Sequence, residues 1–262
     1  MGRDGWGLTG GVVPGIETPG ESRKEDAGGS GRAAAAQPAA RAEVPRELEQ
    51  KLLQHVHDRC HAVMVEVCRY SSVPPAFLAA LVANESGGNG KALRFEPAVY
   101  RHLKSLAAGE RPKYAGHDRD SLQREIEEML HPKSAAFHAH FLSATWGEAP
   151  LKALAACRDE ALRELASSWG YTQIMGYHLL GRPGTVLDLL EPRFHFGLAL
   201  ELLADFAERY QLDVTREFAE MFRCWNTGQP YGATTDPRYV EKGLRRMEIY
   251  RLIESLSDLV IA

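Results

Sequence analysis

Hydrophobic positions recur every three or four residues along most of the chain after about residue 45, which is the period of an α-helix. Residues 44–72 carry apolar side chains on this period at Leu52, Val56, Val63 and Val67. This stretch therefore predicts a long amphipathic helix.

The same period predicts further helices in the rest of the chain. With the helix that follows Pro74, they span 75–85, 96–107, 120–130, 134–143, 150–167, 170–180, 192–210, 214–223 and 237–258. Alternating runs of β-branched residues, which would predict strands, are almost absent. The pattern predicts one all-α domain over residues 45–262, long enough to bury a sizeable core.

Residues 1–44 differ from this domain in composition. They are rich in Gly, Ala, Pro and Ser, carry charges of both signs and contain few large apolar residues. Because such a segment cannot bury enough surface to offset its ordering entropy, we expect it to be disordered. It also lacks the basic start and the apolar stretch of about 7–15 residues that a signal peptide needs, so the localisation stays open.

The overall composition excludes several classes of protein. The 262 residues are 44% hydrophobic and 25% charged, as in an ordinary soluble globular protein. The formal net charge of -4 argues against a nucleic-acid binder, which usually carries a basic stripe. No apolar run approaches the roughly 18 residues of a membrane span. We also expect the protein to be a monomer.

One ionisable residue interrupts the apolar pattern of the helix that Pro75 opens. Glu85 lies four residues after Leu81 and seven after Leu78, in the last turn before a glycine pair. Burial and the negative end of the helix dipole would both raise the pKa of its carboxyl. A carboxyl that is still protonated near neutral pH can act as a general acid, as glycosidases require. The alternative is a structural carboxylate that accepts a hydrogen bond from neighbouring backbone.

Two later stretches carry aromatic and amide side chains of the kind that bind sugars. In SSWGYTQIMGYH (167–178), Tyr171 can stack on a sugar ring and Gln173 can hydrogen-bond to it. A packed helix start at Gly170 explains this stretch equally well. CWNTGQPYGATTDPRYV (224–240) predicts a loop between helices, which either lines a site or simply connects the two elements.

Together these stretches resemble the motifs of the lytic transglycosylase and goose-type lysozyme superfamily. The matching pieces, in chain order, are Glu85-Ser86-Gly87, Gly170-Tyr171-Thr172-Gln173-Ile174-Met175, Trp225-Asn226-Thr227-Gly228 and Tyr239-Val240. SWGYTQIMG and RFEPAVYRHL (94–103) are also similar to stretches of the N-acetylmuramidase domain of phage endolysins. The resemblance implies a lysozyme-like helical fold with an insertion between the Glu85 helix and the G-x-x-Q-I-M motif.

The resemblance also implies a substrate and a set of roles. The substrate would be a peptidoglycan glycan strand, cut at the β-1,4 bond between N-acetylmuramic acid and N-acetylglucosamine, with Glu85 as general acid and base. Such an activity belongs in the cell envelope, in a secreted protein or in phage lysis, and it implies no cofactor and no metal. The residues implied to bind the substrate or shape its cleft are Ser86, Tyr171, Gln173, Met175, Trp225, Asn226 and Tyr239.

Two positions decide which reaction the resemblance implies. Trp225 stands where the family usually has tyrosine, so any hydroxyl beside the acid must come from elsewhere, with Tyr239 as the candidate. Glu96 is the best candidate for the second carboxylate of a hydrolase, although a first-turn helix carboxylate paired with Arg94 explains it slightly better. Since a lytic transglycosylase needs one carboxylate only, we expect transglycosylation. Hydrolysis by a muramidase and non-catalytic peptidoglycan binding on the same fold are the alternatives.

The histidines and cysteines do not form a recognisable metal motif. His57 and His61 lie one helical turn apart and His138 lies close to His140, but neither pair has a third ligand at a familiar spacing. The cysteines also lack the paired spacing of a zinc site, and we expect buried free thiols, with a disulfide as the alternative. They are Cys60, Cys68, Cys157 and Cys224.

Overall fold

The computed structural model describes residues 46–130 and 158–261. Most of these residues are helical, which confirms the expected all-α class in outline. The segment 1–44 and the predicted helix 134–143 lie outside the described residues, as does the beginning of the predicted helix 150–167. Within the two described ranges, no helix is both long enough and apolar enough to cross a membrane.

Eight α-helices form in the described part of the chain. They are α1 (Arg46–Cys68), α2 (Pro75–Glu85), α3 (Pro97–Ala108), α4 (Arg119–Met129), α5 (Arg158–Leu165), α6 (Pro192–Tyr210), α7 (Phe218–Thr227) and α8 (Tyr239–Ile261). Proline opens α2, α3 and α6, because the first turn of a helix does not need the backbone N–H that proline lacks.

Helix α7 begins later than the predicted helix 214–223. The Asp213 carboxylate accepts hydrogen bonds from the backbone N–H of Thr215 at 2.9 Å and from its hydroxyl at 2.6 Å. Such an aspartate-centred turn competes with helix formation, so the helix starts only at Phe218.

Helix α2 is the centre of the core. All its residues from Ala76 to Ala83 are buried, so this part of the helix is apolar on every face. Helices α1 and α8 pack along it, and Phe77 contacts Phe222 of α7 with ring centroids 4.5 Å apart. The polar end of α2, at Glu85, is therefore the place where this buried helix reaches the surface.

A small antiparallel sheet replaces the helix that the sequence predicted at 170–180. Its strands are β1 (Leu93–Phe95), β4 (Ser167–Trp169) and β5 (Ile174–Met175), in the order β1-β4-β5, and a short 3₁₀ helix (Gly176–Leu179) follows β5. The helix prediction was wrong because Gly170 and Gln173 both adopt a positive φ, of 69° and 56°, which an α-helix cannot contain. A separate hairpin joins β2 (Lys113–Tyr114) to β3 (His117–Asp118).

The sheet connects two groups of helices. Helices α3, α4 and α5 pack on one another, and α5 leads directly into β4. Strand β1 follows α2 and pairs with β4, where Leu93 lies opposite Trp169. The turn between β4 and β5, residues 170–173, is thereby brought to the end of α2.

Candidate active site

The end of α2 presents a half-buried carboxyl group beside a glycine turn. Glu85 is the last helical residue, and the N–H of Ser86 caps the helix by donating to the Val82 carbonyl at 3.0 Å. Gly87 and Gly88 follow with φ values of 62° and 88°, a conformation that most other residues avoid. The chain therefore turns away at once and leaves the carboxyl at the edge of the core.

Tyr239 makes the closest contact with this carboxyl. Its hydroxyl donates a hydrogen bond to Oε1 of Glu85. Tyr239 is the first residue of α8 and is only 7% exposed, with its ring packed edge-on against Phe222. The first turn of α8 thus supplies the hydroxyl that Trp225 cannot supply.

Burial raises the pKa of Glu85 above its ordinary value. The hydrogen bond from Tyr239 and the positive charge of Arg94 act in the opposite direction, because both favour the ionised carboxylate. Burial, together with the negative charge of Glu85, also holds the pKa of Tyr239 well above its ordinary value, so this hydroxyl keeps its proton. A carboxyl with a raised pKa and a fixed donor beside it suits reversible proton transfer.

The turn 170–173 is bound directly to the residue that follows Glu85. The Ser86 hydroxyl donates to the Tyr171 carbonyl at 2.6 Å, and the indole Nε1 of Trp225 donates to the Thr172 carbonyl at 3.0 Å. Ser86 and Trp225, both predicted to bind substrate, therefore use their polar atoms to fix this turn beside the acid.

A buried histidine that the sequence analysis missed binds the same turn on its core side. His195 is fully buried, and its Nε2 accepts the backbone N–H of Thr172 at 2.9 Å while Nδ1 lies 2.8 Å from the Leu189 carbonyl. This arrangement requires a neutral imidazole with its proton on Nδ1. Burial accordingly lowers the pKa of His195 to about 4.

Gln173 is also occupied by structural hydrogen bonds. Its Nε2 donates to the carbonyls of Gly170 at 2.9 Å and Ala92 at 3.2 Å, and its Oε1 accepts from the Ser168 hydroxyl at 2.8 Å. The amide that we expect to line the glycan cleft thus ties Ala92, the residue before β1, to the turn 170–173. Met175, on β5, is half-buried and keeps part of its side chain accessible.

Tyr171 and Asn226 lie at opposite extremes of exposure. The Tyr171 ring is 7% exposed, stacks on Phe196 with centroids 5.2 Å apart and fills the space that a side chain at Gly90 would need. The ring belongs to the core, and only this small exposed part is open to the substrate contact that the resemblance implies. Asn226 is exposed in the last turn of α7 and lies on a helix, not in the loop that the sequence predicted.

Glu96 is bound to a basic residue on the same segment. Its Oε1 lies 2.6 Å from Nε of Arg94, and it precedes Pro97 at the start of α3. This is the alternative in which Glu96 is a helix-start carboxylate paired with Arg94. Arg94 itself is largely exposed on the edge strand β1, close enough to Glu85 to lower the pKa of that carboxyl.

A chain of polar and charged side chains extends from the neighbour of Glu85 into the interior, and the sequence analysis missed it. Asn84 donates from Nδ2 to the Tyr239 carbonyl at 3.1 Å and accepts at Oδ1 from Arg246 at 2.7 Å. Arg246 in turn lies 3.3 Å from the carboxylate of Glu49, which is 1% exposed. Glu49 stands four residues before Leu53 and seven before Val56, which is the same spacing from apolar residues that singles out Glu85 in the sequence.

The histidine pair and the cysteines form no ligand cluster in the part of the chain that is described. His57 and His61 stack with ring centroids 4.3 Å apart, and Nδ1 of His61 lies 3.1 Å from the Tyr250 hydroxyl. No group of three His, Cys, Asp or Glu side chains that could hold a metal ion occurs among the described residues. Cys60, Cys68 and Cys224 are buried free thiols, whereas Cys157, His138 and His140 lie outside the described residues.

Comparisons of the chain with models of protein families, with curated proteins and with solved structures found no match.

Proposed function

We propose that this chain is a peptidoglycan-cleaving glycosidase with a lysozyme-like fold, acting as a lytic transglycosylase on the β-1,4 bond between N-acetylmuramic acid and N-acetylglucosamine. The observation that carries the proposal is the Glu85 carboxyl. It stands at the end of a buried helix, has a raised pKa and accepts a hydrogen bond from Tyr239. The motif resemblance supplies the substrate class.

In the first step Glu85 acts as a general acid. Its proton passes to the glycosidic oxygen as the bond between that oxygen and C1 of N-acetylmuramic acid breaks, so the N-acetylglucosamine end leaves as a neutral hydroxyl. The carboxylate that remains is stabilised by the hydrogen bond from Tyr239 and by the positive charge of Arg94. Both contacts become stronger as negative charge develops on Glu85.

In the second step the same group acts as a general base. The C6 hydroxyl of the muramic acid attacks C1 and gives its proton to the Glu85 carboxylate, which closes a 1,6-anhydro ring and restores the acid. This sequence needs one carboxyl group and no external water. We propose transglycosylation over hydrolysis because Glu96, the candidate second carboxylate, is explained by its ion pair with Arg94 at the start of α3.

The structural role of Trp225 favours an enzyme over a non-catalytic binding protein. Trp225 in place of the family's tyrosine is one of the sequence features that favour a non-catalytic binding protein. In this chain the indole of Trp225 fixes the turn 170–173, and Tyr239 provides a hydroxyl for the acid. The substitution therefore does not leave Glu85 without a hydroxyl donor.

Product analysis tests the proposed reaction. Purified peptidoglycan sacculi are incubated with the protein, and the soluble muropeptides are identified by mass spectrometry. Transglycosylation gives 1,6-anhydromuramic acid ends, which are lighter by one water molecule than the reducing ends that hydrolysis gives. Reducing ends of N-acetylmuramic acid alone would establish a muramidase, and binding to sacculi without any soluble product would establish a binding protein.

A further inference from the structure

Asn84, the residue immediately before Glu85, has no place in the reaction described above, yet its side chain joins α2 to two positions on α8. Asn84 lies on α2, and its Nδ2 donates to the main-chain carbonyl of Tyr239 at the start of α8. Its Oδ1 accepts from the guanidinium of Arg246, seven residues further along α8. Tyr239 is the residue whose hydroxyl meets Glu85. Through its side chain, Asn84 therefore connects the end of α2, where Glu85 lies, to the main chain of Tyr239.

Arg246 determines the orientation of the Asn84 amide. The two ends of an asparagine amide have nearly the same shape, but a guanidinium can only donate hydrogen bonds. Since Arg246 lies 2.7 Å from Oδ1, the Nδ2 end must face the Tyr239 carbonyl, where a donor is needed. A flipped amide would leave two acceptors facing each other and two donors facing each other.

Glu49 holds Arg246 in place from α1. Its carboxylate bonds to Arg245 at 2.7 and 2.9 Å and to Arg246 at 3.3 Å. Burial alone would raise the pKa of Glu49, but the hydrogen bonds and charges of the two arginines outweigh it and keep the pKa below its ordinary value. The carboxylate thus stays ionised, and a paired buried charge of this kind has a fixed geometry.

The start of α8 needs such an anchor. Tyr239 is the first residue of its helix, and the first turn of a helix is the part that frays. A hydrogen bond weakens steeply when its angle or its length departs from the preferred range, so a small movement of this turn would withdraw the hydroxyl from Glu85. The Asn84 amide restrains the main chain at that position.

We infer that Asn84 is a positioning residue, held by the buried pair Arg246 and Glu49, which keeps the Tyr239 hydroxyl on the Glu85 carboxyl. The inference rests on the proposed function only where it concerns catalysis. The positioning itself is a property of the free protein and can be measured without substrate.

The test is a double-mutant cycle read out by the titration of Glu85. Glutamate labelled with ¹³C at its side-chain carboxyl is incorporated, and the Glu85 signal, assigned by its loss in Glu85→Gln, is followed against pH. Tyr239→Phe removes a hydrogen bond to the ionised form and should raise the pKa of Glu85. Asn84→Ala should raise it in the same direction, and in the Tyr239→Phe background it should lose most of this effect.

A matched control separates positioning from general loss of stability. Gln211 donates from its side-chain amide to the Glu208 carbonyl at 2.7 Å, at the end of α6, so Gln211→Ala removes the same kind of bond elsewhere. It should leave the Glu85 titration unchanged. If Asn84→Ala fails to fold, Asn84→Ser takes its place, because serine keeps a polar group there but is too short to hold the carbonyl.

The outcomes distinguish this inference from the proposed function. Coupling between Asn84 and Tyr239 in the titration supports the inference even if no soluble muropeptide is ever released, a result that would defeat only the proposed function. The inference would be overturned if Asn84→Ala changed the pKa of Glu85 equally in the wild-type and Tyr239→Phe proteins, or did not change it at all. Muropeptide release by the wild type would then leave the proposed function standing.

Discussion

The Tyr239 hydroxyl donates a hydrogen bond to the Glu85 carboxyl across 154 positions of the sequence. Burial raises the pKa of this carboxyl, while the hydroxyl and the charge of Arg94 limit the rise. These opposing effects on the pKa of Glu85 match two requirements of the proposed reaction. Glu85 must keep a proton before bond cleavage and must be a stable carboxylate afterwards.

Replacing Tyr239 with phenylalanine removes one of the two groups that stabilise the ionised form of Glu85. The pKa of Glu85 should therefore rise, and the high-pH limb of muropeptide release should move to higher pH, because the acid stays protonated longer. The measurement is the rate of release across a pH series. Tyr210→Phe is the control, since it removes a hydroxyl that donates to the Gly228 carbonyl at 2.7 Å, and it should leave the profile in place.

Glu96→Gln tests whether the second carboxylate takes part in the reaction. Its ion pair with the largely exposed Arg94 is expected to contribute about 0–1 kcal/mol. Under transglycosylation by Glu85 alone, the variant should release muropeptides at a rate within about tenfold of the wild type. A loss of several orders of magnitude in a folded variant would instead assign Glu96 a part in the chemistry.

His195 should make the fold less stable in mild acid. Below about pH 6.5 the unfolded chain binds a proton at this imidazole, whereas the folded chain binds it only below about pH 4. The free energy of unfolding should therefore fall as pH falls through this window, with His195 contributing a loss of about 2 kcal/mol by pH 5. Urea unfolding of wild type and His195→Asn at about pH 7.5 and about pH 5 checks this. A pH dependence that is unchanged in the variant would refute it.

Gly170 and Gly87 provide a matched pair for the turn that faces Glu85. Both have a positive φ, but a Cβ at Gly170 would stand 2.6 Å from the Leu189 carbonyl oxygen and 2.7 Å from Nδ1 of His195, whereas nothing lies within 4 Å at Gly87. Gly87→Ala should cost about 1–2 kcal/mol for the backbone alone. Gly170→Ala should cost more than about 3 kcal/mol, since backbone and a buried histidine must also move. Similar unfolding midpoints for the two variants would show that the turn is not packed as described.

The long helices could be predicted from the sequence because their period is sustained and their starts are marked by proline. The helix at 192–210 was predicted with the bounds that α6 has, and α2 was predicted from Pro75 to Glu85. The hairpin 167–175 could not be predicted in this way. Its strands have three and two residues, too few for a period, and they are specified by hydrogen bonds from residues distant in sequence, such as Trp225.

The site was predictable only in its centre. Glu85 stands out because a carboxyl interrupts an apolar helix, and Glu49 and His195 carry the same signal on α1 and α6. What the sequence could not supply is the direction of each polar side chain. Gln173 and Ser86 carry the groups that a sugar-binding residue needs, but the positive φ at Gln173 and the close Tyr171 carbonyl direct these groups to the protein's own backbone.

The most direct test of the central claim compares the wild type with Glu85→Gln on purified peptidoglycan. Glutamine keeps the shape of the side chain and can still accept the hydrogen bond from Tyr239, but it has no proton to give at the working pH. Glu201→Gln, which alters an exposed carboxylate paired with Arg182 at 2.6 Å, is the control, and thermal unfolding verifies that all three proteins fold. If Glu85 is the general acid, Glu85→Gln lowers the rate of muropeptide release by about 10²–10⁴-fold while Glu201→Gln does not change it. Release by folded Glu85→Gln at the wild-type rate would contradict this role.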